Sequence, residues 1–208
     1  MQDVIQHFIE NIKHTTPLEY VAVAAGILSV WLTKKENILL YPVGLINTVA
    51  YVYLSINQSL FGEASVNFYY TVMSLYGWWA WAKKDTSSKP VLQIRYSSGK
   101  EWFNQVLFFL FFYSMIFIAL TWAKEEFNAN TVPTLDAFAS ASAFTGMWLM
   151  ARKKVESWYW WIITNITSIP LYFYKDLVLT SVYYFILLFL AVFGLMEWKQ
   201  KVKQHGRH

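Results

Sequence analysis

The chain has 208 residues, of which 56% are hydrophobic, 20% aromatic and 14% charged, with a formal net charge of +4. A soluble domain carries about 25% charged residues, so this composition excludes a small soluble globule and predicts an integral membrane protein. Cysteine is absent, which excludes a disulfide framework, a thiolate metal site and thiol redox chemistry. The basic residues sit beside apolar segments rather than on a folded basic face, which points to membrane orientation and not to nucleic acid.

Residues 1–16 lack the basic start, apolar centre and small-residue cleavage site of a secretory signal. Val4, Ile5, Phe8, Ile9 and Ile12 instead form one helical stripe, predicting a short helix on the membrane surface. Apolar runs follow at about 18–33, 38–56, 64–82, 103–123, 135–151, 158–174 and 177–197, each near the roughly 17 to 25 residues needed to cross a bilayer. Seven transmembrane helices result.

The two ends of the chain align with one another at a constant spacing. Trp31 pairs with Trp148, Leu32 with Leu149, Leu60 with Leu177, Phe68 with Phe185, Gly77 with Gly194, Trp81 with Trp198 and Lys84 with Lys201. A slip of one position adds Tyr41 with Tyr159 and Asn47 with Asn165. The organisation expected is a surface helix (1–16), a three-helix unit (17–84), a loop with a linker helix (85–134), a second three-helix unit (135–201) and a tail (202–208). With one linker helix between them, the two units enter the bilayer in the same direction, as parallel repeats about an axis along the membrane normal. Repeated halves of this kind point to a transporter that holds its substrate between them.

Charge sets the orientation. Lys34, Lys35, Lys83, Lys84, Lys89, Arg95, Lys100, Arg152, Lys153, Lys154, Lys199, Lys201, Lys203 and Arg207 fall on one side of the seven spans, against Lys13, Lys124 and Lys175 on the other. The positive-inside rule makes the first side cytoplasmic, with the N-terminus outside and the C-terminus inside. The linker run V-L-F-F-L-F-F-Y-S-M-I-F-I is apolar all round, as expected of a helix facing lipid or a neighbouring subunit.

Polar residues inside spans require a reason. Asn47 and Asn165 occupy matching places in the second and sixth helices, suited either to gripping one polar solute or to bridging helices, the latter worth about 0.6–2 kcal/mol per bond. Asn67, Tyr70, Thr71 and Ser74 form a polar strip on one face of the third helix, with Thr180, Tyr183 and Tyr184 as its counterpart in the seventh. The sixth helix opens W-Y-W-W, with Asn165 one turn beyond Trp161 on the same face. Trp78, Trp79, Trp81 and Trp158 read as interfacial anchors; Trp161 is the ligand candidate, and Trp160 remains open between the two roles. Pro170 and Pro42 are expected to permit kinks.

All four histidines lie in the tails, no lysine lies mid-helix and no Gly-rich nucleotide loop occurs. No catalytic nucleophile with its base and no metal carboxylates converge, which disfavours a membrane-embedded enzyme. No cofactor is expected. The stretches L-Y-P-V-G-L-I-N, V-N-F-Y-Y-T-V-M-S-L-Y-G-W-W-A-W and W-Y-W-W-I-I-T-N-I-T-S-I-P-L-Y-F-Y-K resemble the PnuC-type vitamin transporters. That resemblance implies a three-plus-one-plus-three fold similar to the sugar-transporting SWEET proteins, a homotrimer with one path per subunit, and uptake of nicotinamide riboside across a bacterial inner membrane. It further implies facilitated diffusion, with a cytoplasmic vitamin kinase trapping the substrate. Its substrate contacts would fall on Trp161, Asn165, Asn67, Tyr70 and Tyr184. A thiamine branch of the same family, PnuT, is also similar.

Overall fold

In the computed structural model, residues 16–57, 61–86, 88–127, 131–175 and 177–205 are described; the expected surface helix therefore lies outside them except for Thr16. Among the described residues the chain forms seven helices, α1 (Pro17–Lys34), α2 (Leu40–Asn57), α3 (Phe61–Ala82), α4 (Gly99–Phe127), α5 (Pro133–Ala151), α6 (Ser157–Tyr174) and α7 (Val178–His205). Each apolar run of the sequence has become one helix. Two of them, α4 and α7, are long and apolar enough to cross a membrane by composition alone.

Local chemistry sets the helix ends. Thr16 caps α1 by accepting a hydrogen bond from the Glu19 amide at 3.3 Å, with Pro17 in the first turn. Asp136 performs a similar task for α5 by accepting from the Val132 amide at 2.7 Å. At α4, Ser98 and Glu101 form a capping box: the Ser98 amide donates to Glu101 Oε2 at 2.8 Å and the Glu101 amide to Ser98 Oγ at 3.4 Å.

Six helices close a ring. α1 packs on α2, α2 on α3, α3 on α5, α5 on α6, α6 on α7, and α7 back on α1. α4 stands outside that ring against α5, with Phe103, Phe111 and Ile118 more than half exposed on its outer face. In water such a surface would be an aggregation hazard; in a bilayer it is an ordinary lipid- or protein-facing side.

At the end of the bundle that carries most of the lysines, the two units meet in matched positions. Tyr41 of α2 lies against Gly77 of α3, and Trp158 of α6 lies against Gly194 of α7. A Cβ on either glycine would overlap the facing ring, so the absence of a side chain is what lets the helices approach. Tyr41 meets Trp81 edge-on at 5.3 Å, and Trp158 meets Trp198 edge-on at 5.5 Å. Trp81 and Trp198 then touch each other across the ring, 6.3 Å between centroids. The packing thus matches Tyr41 with Trp158 at the unbroken spacing, without the one-residue slip that pairs it with Tyr159. Trp81 and Trp158 are buried rather than interfacial; the anchor role fits Trp78 and Trp79, both exposed, with the Lys83 ammonium 3.4 Å above the Trp79 ring.

α1 and α5 end in the same way. Glu36 donates its amide to Thr33 O and Asn37 to Leu32 O; Lys153 donates to Met150 O and Lys154 to Leu149 O. This is the Schellman pattern, whose left-handed residue is usually glycine. Here Glu36 and Lys153 occupy it with φ of 60° and 53°, a conformation costing an L-residue about 1–2 kcal/mol.

A second polar assembly ties the connection between α3 and α4 to the loop between α5 and α6. Ser97 donates its amide and its hydroxyl to the buried Glu156 carboxylate, each at 2.9 Å. Gln105 Nε2 donates to Ser97 Oγ at 2.8 Å, and Trp160 Nε1 to Gln105 Oε1 at 3.2 Å. Arg95 and Lys154 share an isolated parallel bridge, and the Lys154 ammonium lies 2.6 Å from Glu101. With Arg95 and the Ser98 amide also on it, the Glu101 carboxyl is held down at about 2.

Candidate functional site

The chemistry-bearing residues converge from α3, α5, α6 and α7. Gly146 of α5 leaves room for the indole of Trp161, to which a Cβ there would stand 3.3 Å away. Trp161 is thereby laid flat against α5 and turned toward α3, its ring 6.2 Å from that of Tyr70. Phe144 completes this wall: it meets Tyr70 edge-on at 6.0 Å and stacks on Tyr69 at 4.0 Å. The Tyr69 hydroxyl donates to Phe144 O at 3.1 Å, fixing α3 to α5.

One turn along α6 from Trp161, Asn165 is 2% exposed and its Oδ1 has no hydrogen-bond partner among the described residues. A buried amide oxygen without a partner costs about 1–3 kcal/mol. It is a group waiting for a donor. A second aromatic face comes from Tyr172 and Tyr184, stacked at 5.2 Å with 10° between planes, and from Tyr183, edge-on to Tyr184 at 5.7 Å. The Tyr184 side chain lies beside those of Tyr172 and Ser168 and within electrostatic reach of Tyr70.

The remaining sequence candidates are placed differently. Asn47 donates to Ala22 O at 2.7 Å, bridging α2 to α1. Thr71 donates to Thr48 Oγ1 at 3.0 Å and bonds Asn67 O in its own helix, joining α3 to α2. Asn67 Nδ2 donates to Glu63 O one turn back in its own helix at 3.0 Å. Trp160 faces α4, bonded to Gln105 and 5.1 Å from the Phe109 ring. Tyr183 fits over Gly26 of α1 beside Asn47. The structure therefore brings Trp161, Tyr70, Asn165 and Tyr184 into one region, with Tyr183 at its edge, and gives Asn47, Thr71 and Trp160 bonds between helices.

Phe144, Tyr172 and Ser168 are not among the residues that the sequence singles out. Ser168 and Tyr172 follow Asn165 at spacings of three and seven, the signal by which they were available. Phe144 had none, lying in an alanine-rich helix, A-F-A-S-A-S-A-F, whose small residues simply admit close packing.

Among the described residues no group of histidine, aspartate or glutamate is arranged to hold a metal ion. The arrangement offers flat π-faces and an open amide carbonyl, with the Glu63 carboxyl within electrostatic reach of Tyr172 and Tyr184. Such a site attracts a flat cationic ring, each cation–π contact contributing about 0.5–2 kcal/mol, and hydrogen-bonds a hydroxyl or amide donor beside it.

Comparison with known proteins bears on the family and the fold. The family described as Nicotinamide mononucleotide transporter matches residues 16–200. The Nicotinamide riboside transporter PnuC of Escherichia coli is 25% identical over 209 residues, covering 91% of this chain and 87% of that protein. The Nicotinamide riboside transporter PnuC of Neisseria mucosa is 28% identical over 203 residues, covering 91% and 74%. A crystal structure of the Vitamin B3 transporter PnuC superposes with a TM-score of 0.73 at 24% identity, covering 97% of this chain and 89% of that one, so the fold is shared.

Proposed function

The chain belongs to the nicotinamide mononucleotide transporter family, a vitamin transporter and not an enzyme, and on that premise we propose that it carries nicotinamide riboside inward through the bundle by facilitated diffusion. The observation that carries the choice of substrate class is the unpartnered Asn165 oxygen one turn from Trp161, with Tyr70 opposite. Nicotinamide riboside has a positively charged aromatic ring for the indole and phenol faces, and hydroxyl and amide donors for the carbonyl. A carboxylate is unnecessary for such a cation, and its burial would cost several kcal/mol.

By the same proposal the protein lies in a bacterial inner membrane with its basic end in the cytoplasm, following the positive-inside rule. Parallel three-helix units are part of the same proposal, supported by the matching pairs that α1 forms with α7 and α5 with α3. Phosphorylation by a cytoplasmic kinase would keep the imported riboside inside. Homotrimeric assembly is part of the same proposal, supported by the apolar outer face of α4, and light scattering of the detergent-solubilised protein tests it.

Thiamine also carries a cationic ring and is the competing substrate. In proteoliposomes of the purified protein, uptake of labelled nicotinamide riboside is expected to fall with unlabelled riboside at lower concentration than with thiamine or riboflavin. Stronger competition by thiamine would transfer the assignment to that vitamin.

A further inference from the structure

We propose that Glu36 and Lys153 form the latch of the gate through which substrate leaves at the basic end of the bundle. The proposal rests on the transporter reading, and is independent of which vitamin is carried.

The two residues hold matching positions in the two units and are joined by a 2.7 Å ion pair across the line where the units meet. Both stand at helix ends where glycine would be the relaxed choice, yet the chain places an acid at one and a base at the other. A rule broken locally at two equivalent places, and offset by the contact between them, marks a selected interaction. The Lys153 side chain is 6% exposed and its ammonium also lies 4.5 Å over the Trp81 ring. The other oxygen of Glu36 faces Lys201 at 3.4 Å.

Directly inside the latch lies the aromatic plug of Tyr41, Trp81, Trp158 and Trp198. Only Trp198 has a hydrogen-bonded polar atom, its Nε1 donating to Thr33 O at 3.2 Å. The Tyr41 hydroxyl and the indole N–H groups of Trp81 and Trp158 are buried without partners among the described residues. A permanently closed core satisfies such groups; a plug that must open leaves them ready to bond water or passing substrate. Trp158 stands one turn from Trp161 on α6, so a solute moving from the site toward the basic end meets this plug next. Outside the latch, a cavity of about 650 Å³ lined by Glu36, Trp81, Lys84 and Lys153, among others, gives solvent access to the pair.

The contacts Glu36–Lys153, Glu36–Lys201, Trp81–Trp198 and Trp198–Thr33 all run between the first unit and the second. Separation of the units therefore breaks them together, which gives the gate two states rather than a continuum.

The chain has no cysteine, so one introduced thiol reports alone. Ser74, 3% exposed, lies one turn inward of Gly77 on α3. In a Ser74→Cys protein, a membrane-impermeant maleimide applied from the basic side is expected to react slowly. Glu36→Gln or Lys153→Met should raise the labelling rate at least fivefold. Glu36→Gly with Lys153→Gly keeps the left-handed helix ends without strain while removing both charges; fast labelling there separates a latch from a mere helix cap. Equal rates in all these proteins, fast labelling with both charges intact, or slow labelling in the glycine pair would overturn the proposal. No vitamin enters the assay, so its outcome does not depend on which substrate the protein carries.

Discussion

Trp161 lies against Gly146, whereas at the matching places of the first unit the sizes are exchanged, with Ser29 of α1 facing Gly44 of α2. The two expected repeats thus differ at this place: the second presents an indole where the first has a glycine. Gly146→Leu should push the indole away from Tyr70, and Trp161→Ala should remove it. Loss of one cation–π contact of about 0.5–2 kcal/mol corresponds to roughly 2- to 30-fold weaker binding, measured by calorimetry on the purified protein with nicotinamide riboside.

Asn165 and Thr71 give opposite expectations despite similar chemistry. Asn165 has an unpartnered oxygen, so Asn165→Leu removes no bond of the resting protein at that atom; affinity should fall about 2- to 10-fold while thermal stability holds or rises. Thr71 is already bonded to Thr48, so Thr71→Val should lower the melting temperature and leave affinity near its original value. A thermal-shift assay beside a binding titration distinguishes the two patterns.

Gly77 and Gly194 admit the rings of Tyr41 and Trp158. Alanine at either position forces a buried ring aside, with an expected cost of about 1–3 kcal/mol from overpacking. Gly99, where a Cβ meets nothing within 4 Å, is the control. Fluorescence-detected size exclusion after heating should show the first two variants aggregating at lower temperature and Gly99→Ala unchanged.

Acid should release the tie between α4 and the α5–α6 loop. Folding lowers the Glu101 carboxyl from an ordinary 4.5 to about 2, chiefly through its hydrogen bond with Lys154. A group lowered on folding stabilises the folded state fully above its unfolded pKa, and that contribution is lost as pH falls from about 4.5 toward 2. Glu101→Gln should therefore reduce stability at neutral pH and flatten the acid limb of a melting-temperature profile in that window.

A cation carried without a coupled ion should follow the membrane potential, with about 2.3 kcal/mol per 100 mV available to it. Proteoliposomes held at inside-negative potassium diffusion potentials should accumulate nicotinamide riboside up to roughly fifty-fold per 100 mV. Uptake indifferent to potential would mean that the substrate crosses neutral or with a counter-ion.

Helix number was legible because a bilayer demands a minimum apolar length, and each run of the sequence meets it. Glycine at matching places of the third and seventh spans was legible too, since few other residues tolerate so close an approach. The burial of Trp81 and Trp158 was not, because tryptophan near a helix end fits an interface and a packed core equally well by composition. The α1 and α5 termini were hidden for a different reason: they adopt glycine's conformation with Glu36 and Lys153, and the contact that offsets this joins residues far apart in the chain. Their opposite charges at one repeat spacing were the available clue. For Asn47 and Asn165 the sequence offered two equivalent amides, and only the packing separates one already bonded from one left open.

The network of Ser97, Gln105, Glu156 and Trp160 has no counterpart among the described residues of the first half of the chain. It ties α4 to α6 and to the turn that precedes α6, with α7 packed on α6, while among the described residues α1 and α2 carry no such outer brace. On the transport reading proposed above, the rocking that would expose the site to the two sides in turn is expected to fall to the unbraced helices, while Trp161 and Asn165 stay with the braced ones.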